Sequence, residues 1–268
     1  MRFSFAVKQG KSMRSKTLLG AGMALASLLL SGCAPMTKVK DVMADKQAFM
    51  DANFSADKLP KGVVQAIGSA DRGSLGFHKM VFHLVWQVND DDKNKTVTIQ
   101  QVATFNNAGG SLVQERMEDQ RNGVPMVEMY ELSYRGFLGL KYQTMNVGAA
   151  IAPFAYEIKS FQHFDPVGQS APSAGLDYQY EAGTSAQFMN FRTGRDTCRF
   201  GATYPASKIS AQLAGTVHDL ECVDYNGNGV KAHAARYAYL DKYGVALSMH
   251  TEYAAGISDA RVTSVVIE

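Results

Sequence analysis

Oxygen-bearing side chains at alternate positions are what a calcium loop requires, and Asp224-Tyr225-Asn226-Gly227-Asn228-Gly229 opens with that spacing. Such a loop needs a bidentate carboxylate at its twelfth position, where Ala235 stands with no acid near it. Asparagine and glycine tolerate positive φ, so the segment reads as a tight hairpin turn. Asp90-Asp91-Asp92 could hold a cation weakly and reads more simply as a solvated hairpin loop. A glycosidase needs two carboxylates, and Glu128 with Glu131, or Asp219 with Glu221, are nearby pairs; acids on a surface strand are the simpler account. None of His78, His83, His163, His218, His233 and His250 forms a metal-binding pair by spacing. His83 and His218 fall within strand patterns, where local hydrogen bonds suit them better than zinc. Gly-x-Ser-x-Gly, Walker and dinucleotide-binding motifs are all missing. No metal and no cofactor is expected, and a non-enzymatic role is favoured. A site assembled from distant residues stays open.

Aromatic residues crowd the C-terminal half. Within strand patterns Tyr178 and Tyr180 share a face, as do Tyr237 and Tyr239. Core packing is the favoured reading; the alternative is a groove for glycan, lipid or peptide, which makes these four tyrosines the candidate ligand-binding residues.

Three cysteines remain. The first closes an export signal: Arg2, Lys8, Lys11, Arg14 and Lys16 precede an apolar stretch from Leu18 to Leu30, followed by Ser31, Gly32 and Cys33. A membrane-spanning helix needs about 20 apolar residues, and this stretch is shorter and broken by Gly20 and Gly22. Leu30-Ser31-Gly32-Cys33 resembles the lipobox of bacterial lipoproteins. That resemblance implies a diacylglyceryl group on the Cys33 thiol, removal of residues 1–32 and a palmitate-type anchor in the membrane. Ala34 stands where an aspartate usually retains such proteins in the inner membrane, so the resemblance implies the periplasmic face of the outer membrane. In an oxidising periplasm the other two, Cys198 and Cys222, read as a disulfide. They are symmetric about Ser210, so a hairpin folded there would set them opposite each other.

The whole chain carries 27 Lys+Arg against 25 Asp+Glu. Removing the five basic residues of the signal leaves 22 against 25, a formal net charge of −3, which removes the case for a nucleic-acid partner.

The elements that must position these residues are strands. Val39, Val42, Met43, Phe49 and Met50 recur at helical spacing just after the anchor, and residues 53–62 are a turn-rich stop. From Met80 the period becomes two. Phe82, Leu84, Trp86 and Val88 share one face, and Val97, Ile99, Ala103 and Phe105 share another on the next strand. Strand patterns follow at 112–118, 126–134, 154–164, 176–181, 186–191, 197–204, 217–225, 230–240, 245–253 and 261–267, with turns that include 256–259. Residues 138–154 are too rich in glycine and alanine to assign. The expected fold is all-β: an antiparallel β-sandwich or curved open barrel with a short N-terminal helix after the lipid anchor.

The expected organisation is a signal peptide over 1–32, a tether and short helix over 33–62, and one β domain over 63–268 that could divide at 165–175. The expected function is a lipid-anchored envelope lipoprotein, a binding or envelope-assembly module that meets the membrane, other envelope proteins or an apolar ligand. The alternatives are a carrier of lipid or another apolar ligand in a concave sheet, and an envelope hydrolase with a dispersed site.

Overall fold

The structure, a computed structural model, describes residues 36–90, 95–168, 175–254 and 256–268. Cys33 and the lipobox-like segment before it, Asp91, Asp92 and residues 169–174 lie outside the described residues.

Long alternating runs of β-branched and aromatic residues become long strands. The first six are β1 (Lys79–Asp90), β2 (Lys95–Asn107), β3 (Leu112–Arg121), β4 (Val124–Tyr134), β5 (Leu138–Asn146) and β6 (Tyr156–Phe164). The remaining six are β7 (Leu176–Thr184), β8 (Arg192–Pro205), β9 (Thr216–Asn226), β10 (Lys231–Leu240), β11 (Val245–Tyr253) and β12 (Gly256–Ile267). Each pairs antiparallel with its sequence neighbours, and β12 returns to pair with β1, so the sheet is a closed barrel.

The all-β antiparallel expectation stands, but the sandwich and the open barrel are corrected to this closed form. Closure turns on residues 256–259, expected as a turn and found as the start of β12. There Ser258 pairs with Thr251 on one side and Val88 on the other. A turn signal in sequence cannot register that both flanking strands are in reach. The expected strand at 186–191 is also corrected. Gln187 ties that segment into a turn, its amide donating to the carbonyls of Met189 and Asn190 at 2.9 and 2.8 Å. Phe188 is 88% exposed, so the alternation there marks no buried face.

Elsewhere the alternation reports the inside of the barrel directly. Phe82 and Leu84 are buried and Trp86 and Val88 line the lumen, whereas His83 and Gln87 are exposed. Residues 138–146 of the unassigned stretch form β5. β6 and β7 pair across the 165–175 loop, Phe164 opposite Tyr178.

Ahead of the barrel stand α1 (Val39–Ala44), α2 (Lys46–Asn53) and α3 (Lys61–Ala70). The helical lead therefore runs to Ala70 rather than stopping at the turn-rich stretch. Gly62 and Gly68 weaken the helix signal of α3, while Val63 and Ile67, four apart, bury one face of it. Val39, Val42, Met50, Phe54, Val63 and Ile67 share a core with Tyr130, Leu132 and Tyr134 of β4. These helices thus cover part of the outer wall.

One end of the barrel is plugged. The turn from β4 to β5 reaches across to β11, where Ala246 N donates to the Arg135 carbonyl at 2.8 Å. Arg135 and Gly136 both take positive φ in this turn, and a Cβ on Gly136 would sit 2.4 Å from the Ala246 oxygen. Arg135 Nε donates to Asp71 Oδ2 at 2.6 Å, and Tyr134 Oη donates to the same oxygen at 2.7 Å. Burial opposes the Asp71 charge, but Arg135 outweighs it and holds the carboxyl below its usual range.

Candidate functional site

The other end of the barrel is not filled. A cavity of about 640 Å³ occupies the lumen above the plug, floored by Gly136, Phe137 and Leu138. That volume lies within the range of small-molecule sites. The strand halves nearest the β1–β2, β3–β4, β9–β10 and β11–β12 connections form its walls, and exposed Tyr253 stands among them.

The apolar part of the wall includes Trp86, Ile99, Phe105, Met117, Met129 and Leu247. The polar part holds five acids, Glu115, Asp119, Glu131, Asp196 and Asp224, among neutral groups that include Gln101, Ser248 and Thr251. No lysine or arginine lines the cavity among the described residues. Four of these acids form two cross-strand pairs. Glu115 on β3 stands directly opposite Glu131 on β4, and Asp196 on β8 directly opposite Asp224 on β9. Like charges in this relation destabilise a sheet.

Protons resolve the conflict. Burial first, then the Glu131 charge, drives Glu115 well above the ordinary carboxylate range, against the pull of a hydrogen bond from Ser133 Oγ. Burial pushes Glu131 up to about 7. Burial and then the facing Asp224 push Asp196 up to about 8. Asp119 is raised by burial too, although Gln101 Nε2 donates to it at 2.7 Å. Gln101 in turn accepts from Trp86 Nε1 at 3.1 Å, which fixes the indole against the wall.

Two glycines make room for this arrangement. A Cβ at position 139 would lie 2.5 Å from Glu131 Oε1, and one at position 194 would lie 2.6 Å from the Tyr180 ring. Tyr180 Oη donates to Asp196 Oδ2 at 3.4 Å, while Asp196 Oδ1 is buried with no partner among the described residues. His233 faces Asp224 across β10 and β9, and its ring stacks on Tyr253 with centroids 4.8 Å apart. Burial lowers its pKa, and its Nε2 also lacks a partner among the described residues.

The four candidate tyrosines divide. Tyr180 and Tyr237 line the cavity. Tyr178 is fully buried against Phe137 and Phe164, and Tyr239 packs on Phe200, so both serve the core. Period two assigns a face, and depth along the barrel decides between core and cavity.

Cys198 and Cys222 stand opposite each other on β8 and β9 and are joined by a disulfide in the cavity wall, two residues from the Asp196–Asp224 pair on each strand. The suggested glycosidase pairs do not form. Glu128 and Glu131 point to opposite faces, the first to Lys46 on the helix side and the second to the lumen. Asp219 accepts from Tyr204 Oη at 3.0 Å and Glu221 pairs with Arg199. The 226–229 segment is a turn, with Gly229 at φ 72° and Asn226 Oδ1 accepting from the Asn228 and Val230 amides. Asp224, noticed first as a calcium-loop residue, instead faces the lumen. His218 bonds locally to Thr203 and Asp241. Among the described residues no three His, Cys, Asp or Glu side chains are grouped to hold a metal.

No family model matches this chain, and no curated protein matches it. Among solved structures it is similar to a β-barrel-like protein of domain of unknown function DUF1849 from Brucella abortus. That likeness has TM-score 0.44 at 8% identity, over 72% of this chain and 98% of the other. A DUF1329 family protein from Desulfovibrio piger matches at TM-score 0.37 and 9% identity, over 72% and 86%. A proposed outer membrane lipoprotein-sorting protein domain from Vibrio parahaemolyticus matches at 0.38 and 8%, over 77% and 91%.

Glu115, Glu131 and Asp196 were missed as a group by reading along the chain. The available signal was an acid recurring on the inward face of an otherwise apolar alternation, as in Val113, Glu115, Met117 and Asp119.

Proposed function

We propose that this chain is an envelope lipoprotein, held through Cys33 at the periplasmic face of the outer membrane, whose barrel binds a small, partly apolar ligand. The half-empty lumen carries the reading: a barrel built only for stability fills its interior with side chains, and this one stops halfway. The resemblance of Leu30–Cys33 to a lipobox supports the anchor. The test uses the full chain and the neutral dye N-phenyl-1-naphthylamine, whose fluorescence rises in apolar surroundings. We expect saturable enhancement that Ser248→Phe, which fills the lumen wall, abolishes. Enhancement that survives this change, or none in the parent, overturns the reading. Palmitate labelling lost in Cys33→Ser supports the anchor, and labelling retained removes it.

The raised carboxyls in a cleft also favour a second reading, an envelope hydrolase with a general acid in the lumen. Its mark would be turnover of a glycoside or ester that Glu131→Gln abolishes.

A further inference from the structure

We propose that the lumen selects an organic cation, an ammonium group carried on an apolar body; this rests on the reading of the lumen as a binding site.

The geometry supplies the argument. The cavity is walled by two facing acid pairs, and among the described residues the chain provides no lysine or arginine to meet them. A sheet gains nothing from opposing acids at Glu115–Glu131 and Asp196–Asp224, and low-dielectric surroundings sharpen the repulsion. Inside the chain the conflict is relieved by protons rather than by a basic side chain, and local rules broken in this way are expected at functional or strained sites. Asp196 Oδ1 adds a further sign: it is buried with no donor of another residue type, and the one group that can share a hydrogen bond with it there is a second acid, Asp224. Two acids bound through a single proton leave acceptor capacity that an incoming donor can take up.

The alternatives to an organic cation fit less well. An anion such as a fatty acid would find neutral donors such as Ser248 and Thr251 but no lysine or arginine among the described residues, and would lie beside five carboxyls. A metal ion needs several oxygens converging on one point, and among the described residues no three ligating side chains are so grouped. The two pairs instead lie on β3–β4 and β8–β9, with β5, β6 and β7 between them in the strand order. Between them stand Trp86, Tyr142, Tyr180 and Tyr237, whose ring faces attract cations. An ammonium group beside either pair would let both acids ionise, and an apolar body would fill the space above Phe137. Acidic wall, aromatic lining and empty volume thus describe one ligand class.

The experiment compares three naphthalenes that differ in one substituent: trimethylammoniomethyl, hydroxymethyl and sulfonate. Each competes with N-phenyl-1-naphthylamine for the full chain at pH 7. The cation should bind about tenfold more tightly than the alcohol, and the sulfonate should not compete. Binding of the cation should also release protons, read as a heat that changes with the ionisation enthalpy of the buffer. Glu131→Gln with Asp196→Asn should lose both the preference and the proton release, so that cation and alcohol compete equally in that variant. Asp119→Asn provides a second variant if the double change does not fold. Equal competition by cation and alcohol, with the dye still bound, overturns cation selectivity and leaves the lumen site standing. No binding of dye or of any naphthalene overturns both.

Discussion

On the helix-covered outer wall, Glu118 and Glu128 stand opposite one another with Lys46 between them. Inside the lumen, Glu115–Glu131 and Asp196–Asp224 stand in the same relation with no lysine or arginine beside them among the described residues. The strand geometry is shared, and the outcome differs. Lys46 Nζ donates to Glu118 Oε2 at 2.6 Å and to Glu128 Oε1. Burial works against the Glu118 charge, but Lys46 outweighs it and holds that carboxyl down at about 2. Fully buried Glu128 is pushed up to about 7, the lysine only partly offsetting burial. Burial likewise opposes the Lys46 charge, yet the two acids hold it above its ordinary value. The outer acids dock α2 onto the barrel. The inner pairs have no such cation among the described residues, and only neutral groups of the chain meet them: Ser133 Oγ at Glu115 and Tyr180 Oη at Asp196.

Three changes would break or sharpen this contrast. The largest effect should come from the lumen wall itself. Replacing both Cys198 and Cys222 by alanine opens a loop whose ends are 24 residues apart. It should cost about 3–4 kcal/mol on the chain-entropy model, measured by urea unfolding against the oxidised parent. An unchanged midpoint would show that strand pairing alone holds β8 to β9.

Next, Lys46→Met should leave Glu128 buried without its cation and cost about 3 kcal/mol at pH 8. The loss should shrink at pH 5, below the value near 7 to which Glu128 is raised, because the carboxyl is then neutral. A loss that is the same at both pH values would mean that Lys46 acts through packing alone.

The smallest change should run the other way. Glu131 and Asp196 are raised to about 7 and about 8, so the folded state holds protons that the unfolded chain releases nearer pH 4. Their contribution is therefore full below the ordinary carboxylate range and is lost as pH rises through those values. Glu131→Gln with Asp196→Asn should stabilise the protein by about 2 kcal/mol at pH 8.5 and hardly at all at pH 4. Destabilisation at pH 8.5 would make the inner acids structural, like the outer ones, and erase the contrast.

How far each region was legible follows from the range of the interactions involved. The alternation of Phe82, Leu84, Trp86 and Val88 is local and marks the inward face correctly. The α3 helix was obscured by Gly62 and Gly68, whose weak propensity is overridden by burial of Val63 and Ile67. Gly256–Asp259 has the composition of a turn and becomes strand because β1 and β11 lie on either side of it. Glu128 and Glu131 looked like one pair in sequence and belong to two different sites, because a separation of three along a strand places side chains on opposite faces.

By itself the sequence determined the all-β antiparallel character, the Cys198–Cys222 pairing and the resemblance of Leu30–Cys33 to a lipobox. Each rests on residues close along the chain or on a single hairpin. Only the tertiary structure decided that the sheet closes, where the packed end gives way to a cavity, and which acids face each other inside it. A period of two assigns each side chain to a face, but cross-strand partners and depth in the lumen depend on register. Register is set by strands that meet only when the barrel forms.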